Sequence, residues 1–380
     1  MKAHYNVIIA GAGGIAEAVG LLLAEWSTRS PTIYIGNRTL SKAQKVAKWI
    51  EDGTTKSVKV HPFLLQEQGL SDAMQTIFKK GDILLDCLPG SLAPKMAQFA
   101  KDFQMHYANL TEYVAETEAI IRLAKDATKG FVLQTGLAPG YINVLAHHLF
   151  QKFCADFKVN KVDQLVMKVG ALTHHAVAPH YYGFTWSPVG VATEYIKNAE
   201  VLRNYKKAIV PSLSETARII INGLPYEEDL TSGGAADLPD ALVGKVNALD
   251  YKTLRHVGHY AWVKDKIATM GRTSNAIQGL QKQMELEIPH VEEDQIILYA
   301  AVTGKDSNGI LRKREVAKQI FPQKVGKHIL RAIQTTTAVP LLQSAQLLLE
   351  SSPKGVILQS QLDAKTFLHG DFVKKVYGNF

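Results

Sequence analysis

The chain has 380 residues, of which 46% are hydrophobic and 21% charged, a composition typical of a soluble globular protein with room for two domains. The net charge of +8 comes from scattered Lys and Arg residues without interleaved aromatic residues, which argues against nucleic-acid binding. Two cysteines and no apolar run of membrane-spanning length exclude a disulfide scaffold and a membrane protein, and without a signal-peptide pattern we expect a cytoplasmic protein.

The first part of the chain alternates buried strands with helices. The run NVIIAGA predicts the first strand, and the helix after it carries apolar residues on one face. Further strands are predicted at TIYIGN, SVKVHPF, DILLDC, HYANL and GFVLQT, with helical patterns between them. This alternation predicts an α/β fold, with a doubly wound parallel sheet of the Rossmann type over residues 1–134.

The pattern changes after the segment GLAPGYINVLAHHLFQKF, which predicts a connecting helix. Longer alternating strands are predicted at DQLVMKVGAL, TARIIING, VNALDYKTLRH and DQIILYAAVTG, with two helical patterns among them. We predict a second, α+β substrate domain over 135–325, in which residues 231–240 form a mobile loop beside a cleft. A helical segment follows over 326–380, broken or kinked at Pro340.

The glycines after the first strand match the fingerprint of dinucleotide-binding proteins. Gly11 and Gly13 permit a tight turn and the close approach of a pyrophosphate, and Ala16 lets the helix pack against the strand. The match follows a strand and opens a helix, as the fingerprint requires. We predict a pyrophosphate site at Gly11, Ala12, Gly13, Gly14 and Ile15. The alternative is a glycine-rich turn that binds no nucleotide.

The residues after the second strand predict which dinucleotide binds. A carboxylate is usual there, because it binds the free 2′-hydroxyl of NAD. This chain has Asn37, Arg38 and Thr39 instead, and Lys42 follows one turn later. The guanidinium fork of Arg38 suits a phosphate, so we predict NADP as the cofactor. The alternative is that Arg38 covers the adenine and NAD binds as well.

Two further loops at the carboxyl ends of strands are expected to line the same crevice. One contains Cys87, Leu88 and Pro89, the other contains Asn109 and Leu110, and we assign both to the cofactor site. Cys87 has no basic neighbour in the sequence. We therefore interpret it as a small apolar residue rather than as a nucleophile.

Several segments together resemble one enzyme family. They are the glycine turn, GLAPGYINVLA, FTWSPVGVATEYIKNAEVLRNYKK, YEEDLTSGG and YKTLRHVGH. Over nearly its whole length the chain is similar to the saccharopine dehydrogenase-like oxidoreductases, in the branch of lysine 6-dehydrogenase and the glutamate-forming saccharopine dehydrogenase, or saccharopine reductase. The resemblance implies a C-terminal segment that returns to the Rossmann domain, and a homodimer.

The resemblance also implies an NAD(P)-dependent amino-acid dehydrogenase that acts on the C–N bond of a small, lysine-derived amino acid. A lysine 6-dehydrogenase or an imine reductase of the carboxynorspermidine type is the enzymatic alternative. A cofactor-sensing regulator without chemistry is the alternative from another class. The chain departs from the family pattern at Asn109, where Asp is common, and at His256 and Val257, where the family tends to have Tyr and Pro. These departures leave the substrate open.

Such an enzyme must bind a substrate carboxylate and move a proton. We predict Arg255 as the carboxylate anchor, because it shares a strand face with Tyr251 and Thr253. A surface salt bridge is the alternative. We predict His259 as the acid/base, whereas the competing interpretation is a histidine at a helix N-terminus that bonds to backbone.

The remaining candidates surround this segment in the sequence. Glu194 is predicted to hold a substrate ammonium, with a structural ion pair as the alternative, and Glu227 has the same two interpretations. The other predicted substrate residues are Tyr182, Trp186 and Thr231, and ordinary core packing is the alternative for the two aromatic residues. No metal site is predicted. Neighbouring histidines on a strand point to opposite faces, so His174, His175 and His180 lack the spacing of a tetrahedral site.

Overall fold

The structure is a computed structural model that describes residues 4–66, 68–270 and 275–379. The chain forms two compact units. The first unit comprises the described residues up to Tyr141, the segment Gln323–Leu330 and the chain from Gln334 onward. The second unit comprises Ile142–Pro322 and Arg331–Ile333.

The first unit starts with five strand–helix pairs and a sixth strand, as predicted. Their bounds are β1 His4–Ala10, α1 Gly14–Trp26, β2 Ser30–Asn37, α2 Leu40–Gly53, β3 Val60–Leu64, α3 Asp72–Phe78, β4 Ile83–Asp86, α4 Ala93–Asp102, β5 His106–Asn109, α5 Val114–Leu123 and β6 Gly130–Val132. The apolar residues of the strands and the inner helix faces form the core of this unit, because both faces of a parallel sheet are covered.

The second unit combines long strands with helices of varied length. The elements in chain order are α6 Tyr141–Phe157, β7 Val162–Thr173, α7 Pro188–Ile196, β8 Ala199–Arg203, β9 Lys206–Val210, β10 Ala217–Ile221, β11 Leu224–Leu230, α8 Leu238–Ala241, β12 Val246–Arg255, α9 His259–Met270, α10 Ala276–Glu287, β13 Asp294–Lys305 and β14 Leu311–Ile320. From Gln323 onward the elements belong to the first unit, apart from the first two residues of α11. They are β15 Gln323–Val325, β16 His328–Leu330, α11 Ala332–Ser351, β17 Gly355–Ile357, α12 Ala364–Leu368 and α13 Asp371–Tyr377.

The sheet of the first unit has the order β17-β6-β5-β4-β1-β2-β3, and all its neighbouring strands are parallel. The strand order reverses between β1 and β4, because β2 and β3 lie on one side of β1 and the later strands lie on the other. All carboxyl ends meet at one edge. The crevice beside this reversal is where open α/β sheets bind ligands. The fold class is therefore the predicted one, with β17 as a seventh strand that the sequence pattern did not predict.

The main path of the second sheet is β10-β11-β12-β7-β13-β14, and β8 pairs with β12 and β9. Only β12 and β7 are parallel, so the sheet is mixed. The sequence pattern missed β8, β9, β11 and β14. In β11 the consecutive acids Glu227, Glu228 and Asp229 hide the strand, because acidic residues are rare in strands. The strand β14 carries the charges typical of a sheet edge.

The sequence predicted a break or a kink at Pro340. The helix α11 continues through Pro340, so the predicted break is wrong. Pro340 has no N–H to donate to the carbonyl of Thr336. The hydroxyl of Tyr377 donates to this carbonyl instead, at 2.6 Å. Among the described helices, none is long and apolar enough to cross a membrane.

Candidate functional site

The turn between β1 and α1 forms a cradle that fits a dinucleotide. Gly11 has a φ of +121°, and a Cβ here would lie 2.9 Å from the carbonyl oxygen of Cys87, so only glycine fits. A Cβ added at Gly13 would meet no atom within 4 Å, which leaves space for a ligand beside the backbone. The first N–H groups of α1 follow directly and have no carbonyl partners within the helix. These groups fit the negative charge of a pyrophosphate.

One cleft in the first unit, of about 930 Å³ including open solvent, collects most of the predicted cofactor residues. It lies at the carboxyl edge of the sheet, beside the reversal of strand order. The predicted residues that line it are Gly11, Ala12, Gly13, Asn37, Arg38, Lys42, Cys87, Leu88 and Pro89. The predicted residues outside this lining are Gly14, Ile15, Thr39, Asn109 and Leu110.

The cleft also contains residues that the sequence analysis did not assign. Leu65 and Gln66 follow β3, and Leu92, Lys95 and Met96 lie just before α4 or in its first turn. Their signal in the sequence is their position after the carboxyl ends of strands. The apolar members suit an adenine ring, whereas Lys95 adds a cation to the two from β2 and α2.

Asn109 has a structural role at the end of β5. Its side chain is buried, its Oδ1 accepts a hydrogen bond from the N–H of Gln134 at 2.8 Å, and its Nδ2 donates to Tyr107 Oη at 3.4 Å. Tyr107 Oη lies 2.8 Å from Asp86 Oδ2, and Asp86 Oδ1 accepts from the N–H of Leu88 at 3.0 Å. Burial raises the pKa of Asp86 to about 6. The network thus fastens the loop that lines the cleft.

Cys87 belongs to this loop and lines the cleft, but it does not have the properties of a nucleophile. Desolvation by its surroundings raises the pKa of the thiol, and the neighbouring carboxyl of Asp86 adds to this rise. A thiol of this kind carries little thiolate at neutral pH. The geometry agrees with the interpretation of Cys87 as a small residue at a strand end.

Arg255 ends β12 as a buried arginine, only 1% exposed, which rules out the surface salt bridge. Its Nε donates to Tyr195 Oη at 2.6 Å and its Nη1 donates to the carbonyl of Leu254 at 3.0 Å. The guanidinium carbon lies 4.8 Å from the ring centroid of Tyr182. Nη2 lies 3.8 Å from Glu194 Oε2 and has no hydrogen-bond partner among the described residues. The guanidinium is therefore oriented but retains donors.

His259, the predicted acid/base, begins α9 and is fully buried. Its Nδ1 lies 2.7 Å from the carbonyl oxygen of His180, which can only accept, so Nδ1 carries the hydrogen. Its Nε2 must then accept from the hydroxyl of Tyr195, at 3.0 Å. Burial, followed by the charge of Arg255, lowers the pKa of His259 to about 3. Both ring nitrogens are occupied and the ring is neutral, which fits the competing interpretation of a histidine bonded to backbone at a helix N-terminus. The acid/base role stays a prediction.

The other predicted substrate residues lie along β11, β12 and their connections. Glu227 on β11 is the backbone neighbour of Arg255 on the antiparallel strand β12. Its Oε2 accepts a hydrogen bond from the N–H of Tyr260 at 3.3 Å. Thr231 and Thr253 share a hydrogen bond of 2.6 Å between their hydroxyls. Of the two remaining aromatic residues, Trp186 packs beside α7, whereas Tyr251 packs against Gly234. The structure thus brings Arg255, Glu194 and Tyr182 together, with the others at the periphery.

The segment 231–240 is not the mobile loop that its glycines suggested. Most of its residues are buried, and α8 begins within it. The N–H of Ser232 donates to the carbonyl of Glu194 at 3.1 Å, and the carbonyl of Gly234 accepts from Asn143 Nδ2 at 2.9 Å. These bonds fasten the segment to α6 and α7. In the described parts of the chain, no three His, Cys, Asp or Glu side chains form a metal-binding group.

Two family models together match most of the chain. The saccharopine dehydrogenase NADP binding domain matches residues 7–133, and the saccharopine dehydrogenase C-terminal domain matches residues 136–376. The first match contains the whole cleft described above, and the second contains Arg255 and its neighbours.

Two curated relatives share parts of the chain. The mitochondrial alpha-aminoadipic semialdehyde synthase of Rattus norvegicus is 26% identical over 210 residues, which cover 54% of this chain and 21% of the relative. The shikimate dehydrogenase (NADP(+)) of Desulforamulus reducens is 32% identical over 160 residues, which cover 40% of this chain and 52% of the relative. The match therefore spans about a fifth of the length of the synthase and about half of the length of the shikimate dehydrogenase.

Two solved structures share the fold over almost the whole chain. The apo saccharopine dehydrogenase (L-Glu forming) of Saccharomyces cerevisiae has a TM-score of 0.76 at 14% identity and covers 98% of this chain and 96% of its own. The homospermidine synthase of Legionella pneumophila in complex with NAD has a TM-score of 0.66 at 13% identity and covers 99% of this chain and 90% of its own. The domain matches extend this likeness from the fold to the family: the chain belongs to the saccharopine dehydrogenase family of amino-acid dehydrogenases, with an NADP-binding N-terminal domain.

Proposed function

We propose that the protein is an NADP(H)-dependent oxidoreductase that acts on the C–N bond of a lysine-derived amino acid, in the manner of a glutamate-forming saccharopine dehydrogenase. The observation that carries the proposal is the cleft in which the cradle of Gly11 and Gly13 lies beside Arg38. Family membership supports the reaction type, and the arginine after β2 supports NADP over NAD.

The bound nicotinamide would exchange a hydride with the substrate carbon that bears nitrogen. The protein itself would bind the cofactor and the substrate and orient them for this transfer. The N–H groups at the start of α1 would hold the pyrophosphate, and the fork of Arg38 would bind the 2′-phosphate, with Lys42 as a second cation. The hydrogen bond from Leu88 to Asp86 would hold the opposite wall of the cleft in place.

In the second unit, Arg255 is our candidate for binding a substrate carboxylate. Its Nε and Nη1 are occupied, whereas its buried Nη2 lacks a hydrogen-bond acceptor. Leaving a buried donor unsatisfied costs about 1–3 kcal/mol, which an incoming carboxylate would offset. Tyr195 and the neutral His259 would act as positioning residues, because they fix the guanidinium through one directional chain of hydrogen bonds.

A second candidate is an amine-directed reaction, either lysine 6-dehydrogenation or imine reduction of the carboxynorspermidine type. The buried acids Glu194 and Glu227 favour it, since they lie near Arg255 and suit a substrate with a free ammonium group. The homospermidine synthase fold is compatible with this candidate but does not select it. The number of carboxylates that the substrate must carry separates the two candidates.

The test combines a substrate panel with direct cofactor binding. The purified protein is incubated with NADP⁺ or NAD⁺ and either saccharopine or lysine, and with NADPH or NADH and a polyamine-derived imine. The absorbance of the reduced nicotinamide is followed in each case. We expect turnover of saccharopine with NADP⁺. Turnover of lysine or of the imine alone would select the second candidate. Tight NADP⁺ binding without turnover of any substrate would contradict both candidates and favour a cofactor-sensing regulator.

A further inference from the structure

The cleft of the first unit carries cations on three separate elements. Arg38 follows β2, Lys42 lies in the first turn of α2, and Lys95 lies in the first turn of α4. No Asp or Glu occurs among the described residues that line the cleft. Three like charges around one cavity repel each other, and a bound anion removes this cost. The arrangement therefore indicates a ligand with several negative charges.

In the part of the chain that the structure describes, Lys95 forms no ion pair that would give it a structural role. Its ammonium lies 5.7 Å from the ring centroid of Phe99, so its stem packs along α4, and no ion pair connects it to a described carboxylate. The other lysine of this helix, Lys101, differs clearly. It pairs with Asp126 at 2.7 Å and donates to the carbonyl of Leu123 at 2.8 Å.

We propose that Lys95 is a specificity-determining residue that binds the 2′-phosphate of the adenosine half of the cofactor, from the wall opposite Arg38. This inference rests on the proposed function. A 2′-phosphate carries about −1.5 to −2 charges, and the pyrophosphate adds to this, while the glycine cradle contributes no formal charge. Three cations match such a ligand better than two. A lysine reaches it as a point charge on a flexible stem.

Adenosine 2′,5′-bisphosphate and adenosine 5′-monophosphate are the probes, because they differ only in the 2′-phosphate and need no substrate or turnover. Calorimetry measures their affinity for the whole protein and for Lys95→Met. We expect the variant to bind the bisphosphate about tenfold or more weakly and the monophosphate almost unchanged. Lys45→Met is the matched control, because Lys45 is exposed on α2 outside the cleft and its loss changes net charge equally.

The outcomes separate this inference from the proposed function. Equal loss of affinity for both probes would overturn the inference, since Lys95 would then contact the adenine or the 5′-phosphate. An unchanged affinity for the bisphosphate would overturn it as well. If Arg38→Met still weakens bisphosphate binding, the proposed cofactor preference survives either result. If neither substitution affects either probe, the cofactor proposal fails with the inference. A far-UV circular dichroism spectrum equal to that of the parent chain shows that each variant is folded.

Discussion

The proposed preference for NADP rests first on the guanidinium of Arg38. It lines the cleft at the position where NAD-binding proteins usually place a carboxylate. We expect Arg38→Asp to weaken NADP⁺ binding about ten- to a hundredfold more than NAD⁺ binding, because the carboxylate repels a 2′-phosphate and accepts from a 2′-hydroxyl. Fluorescence titration with both cofactors measures this. Equal losses would contradict the assignment of Arg38 to the 2′-phosphate.

Asp86 predicts a pH dependence of stability. Burial raises its pKa from 3.8 to about 6, so between these values the folded protein holds a proton that the unfolded chain has released. The free energy of unfolding therefore falls as the pH rises through this window. At pH 7 Asp86→Asn avoids the buried charge, and we expect it to unfold with about 1–3 kcal/mol more free energy than the parent chain.

Urea unfolding of both proteins at about pH 7 and pH 4 measures this difference. We expect the two proteins to differ at the higher pH and to converge at the lower one, where Asp86 is protonated in the fold. The amide can still accept from the N–H of Leu88, and Tyr107 Oη can donate to the carbonyl of Ala93, which lies 3.2 Å away. A loss of stability at neutral pH would show that the network needs the charge.

At the scale of elements, α11 shows how a proline is accommodated inside a helix. Pro340 frees the carbonyl of Thr336, and the hydroxyl of Tyr377 on α13 donates to it. The ring of Tyr377 stacks on Tyr141, with a centroid distance of 3.5 Å. The sequence identified the proline but not its partner, because the two residues are far apart in the chain. Only the folded first unit brings them together.

We expect Tyr377→Phe to lower the free energy of unfolding by about 1–3 kcal/mol, because the variant keeps the ring but removes the buried hydroxyl that donates to the carbonyl of Thr336. Denaturant unfolding measures the change. Tyr141→Phe is the control, since it removes a hydroxyl from the other ring of the same stack. Equal effects of the two substitutions would indicate that general polarity, rather than this hydrogen bond, is responsible.

At the scale of the whole molecule, each unit has its own sheet, and the proposed cofactor binds within the first unit. NADP⁺ should therefore raise the melting temperature of the first unit by mass action. The expected stabilisation is about 2.7 kcal/mol when the free cofactor exceeds its dissociation constant a hundredfold. Calorimetric melting with and without NADP⁺ measures it. An unchanged melting profile at saturating cofactor would contradict the assignment of the cleft. The homodimer remains a prediction from the resemblance.

The sequence by itself determined the class of the fold and the cofactor cradle. Buried strands alternating with one-faced helices allow hardly any arrangement other than a parallel sheet, and the glycine turn needs only local backbone geometry. The cation at Arg38 could be predicted for the same reason, since its position relative to the strand end is local. The weak signals were β11 and β14, in which charged residues conceal strands that tertiary pairing stabilises.

Only the tertiary structure decided what the polar residues of the second unit do. The sequence placed Arg255 and His259 near each other but could not show that Tyr195 lies between them, because Tyr195 belongs to a distant helix. Burial then sets the chemistry: it leaves His259 neutral, encloses the guanidinium and fastens residues 231–240. Desolvation and hydrogen-bond partners depend on which elements pack together, and residue spacing along the chain does not contain that information.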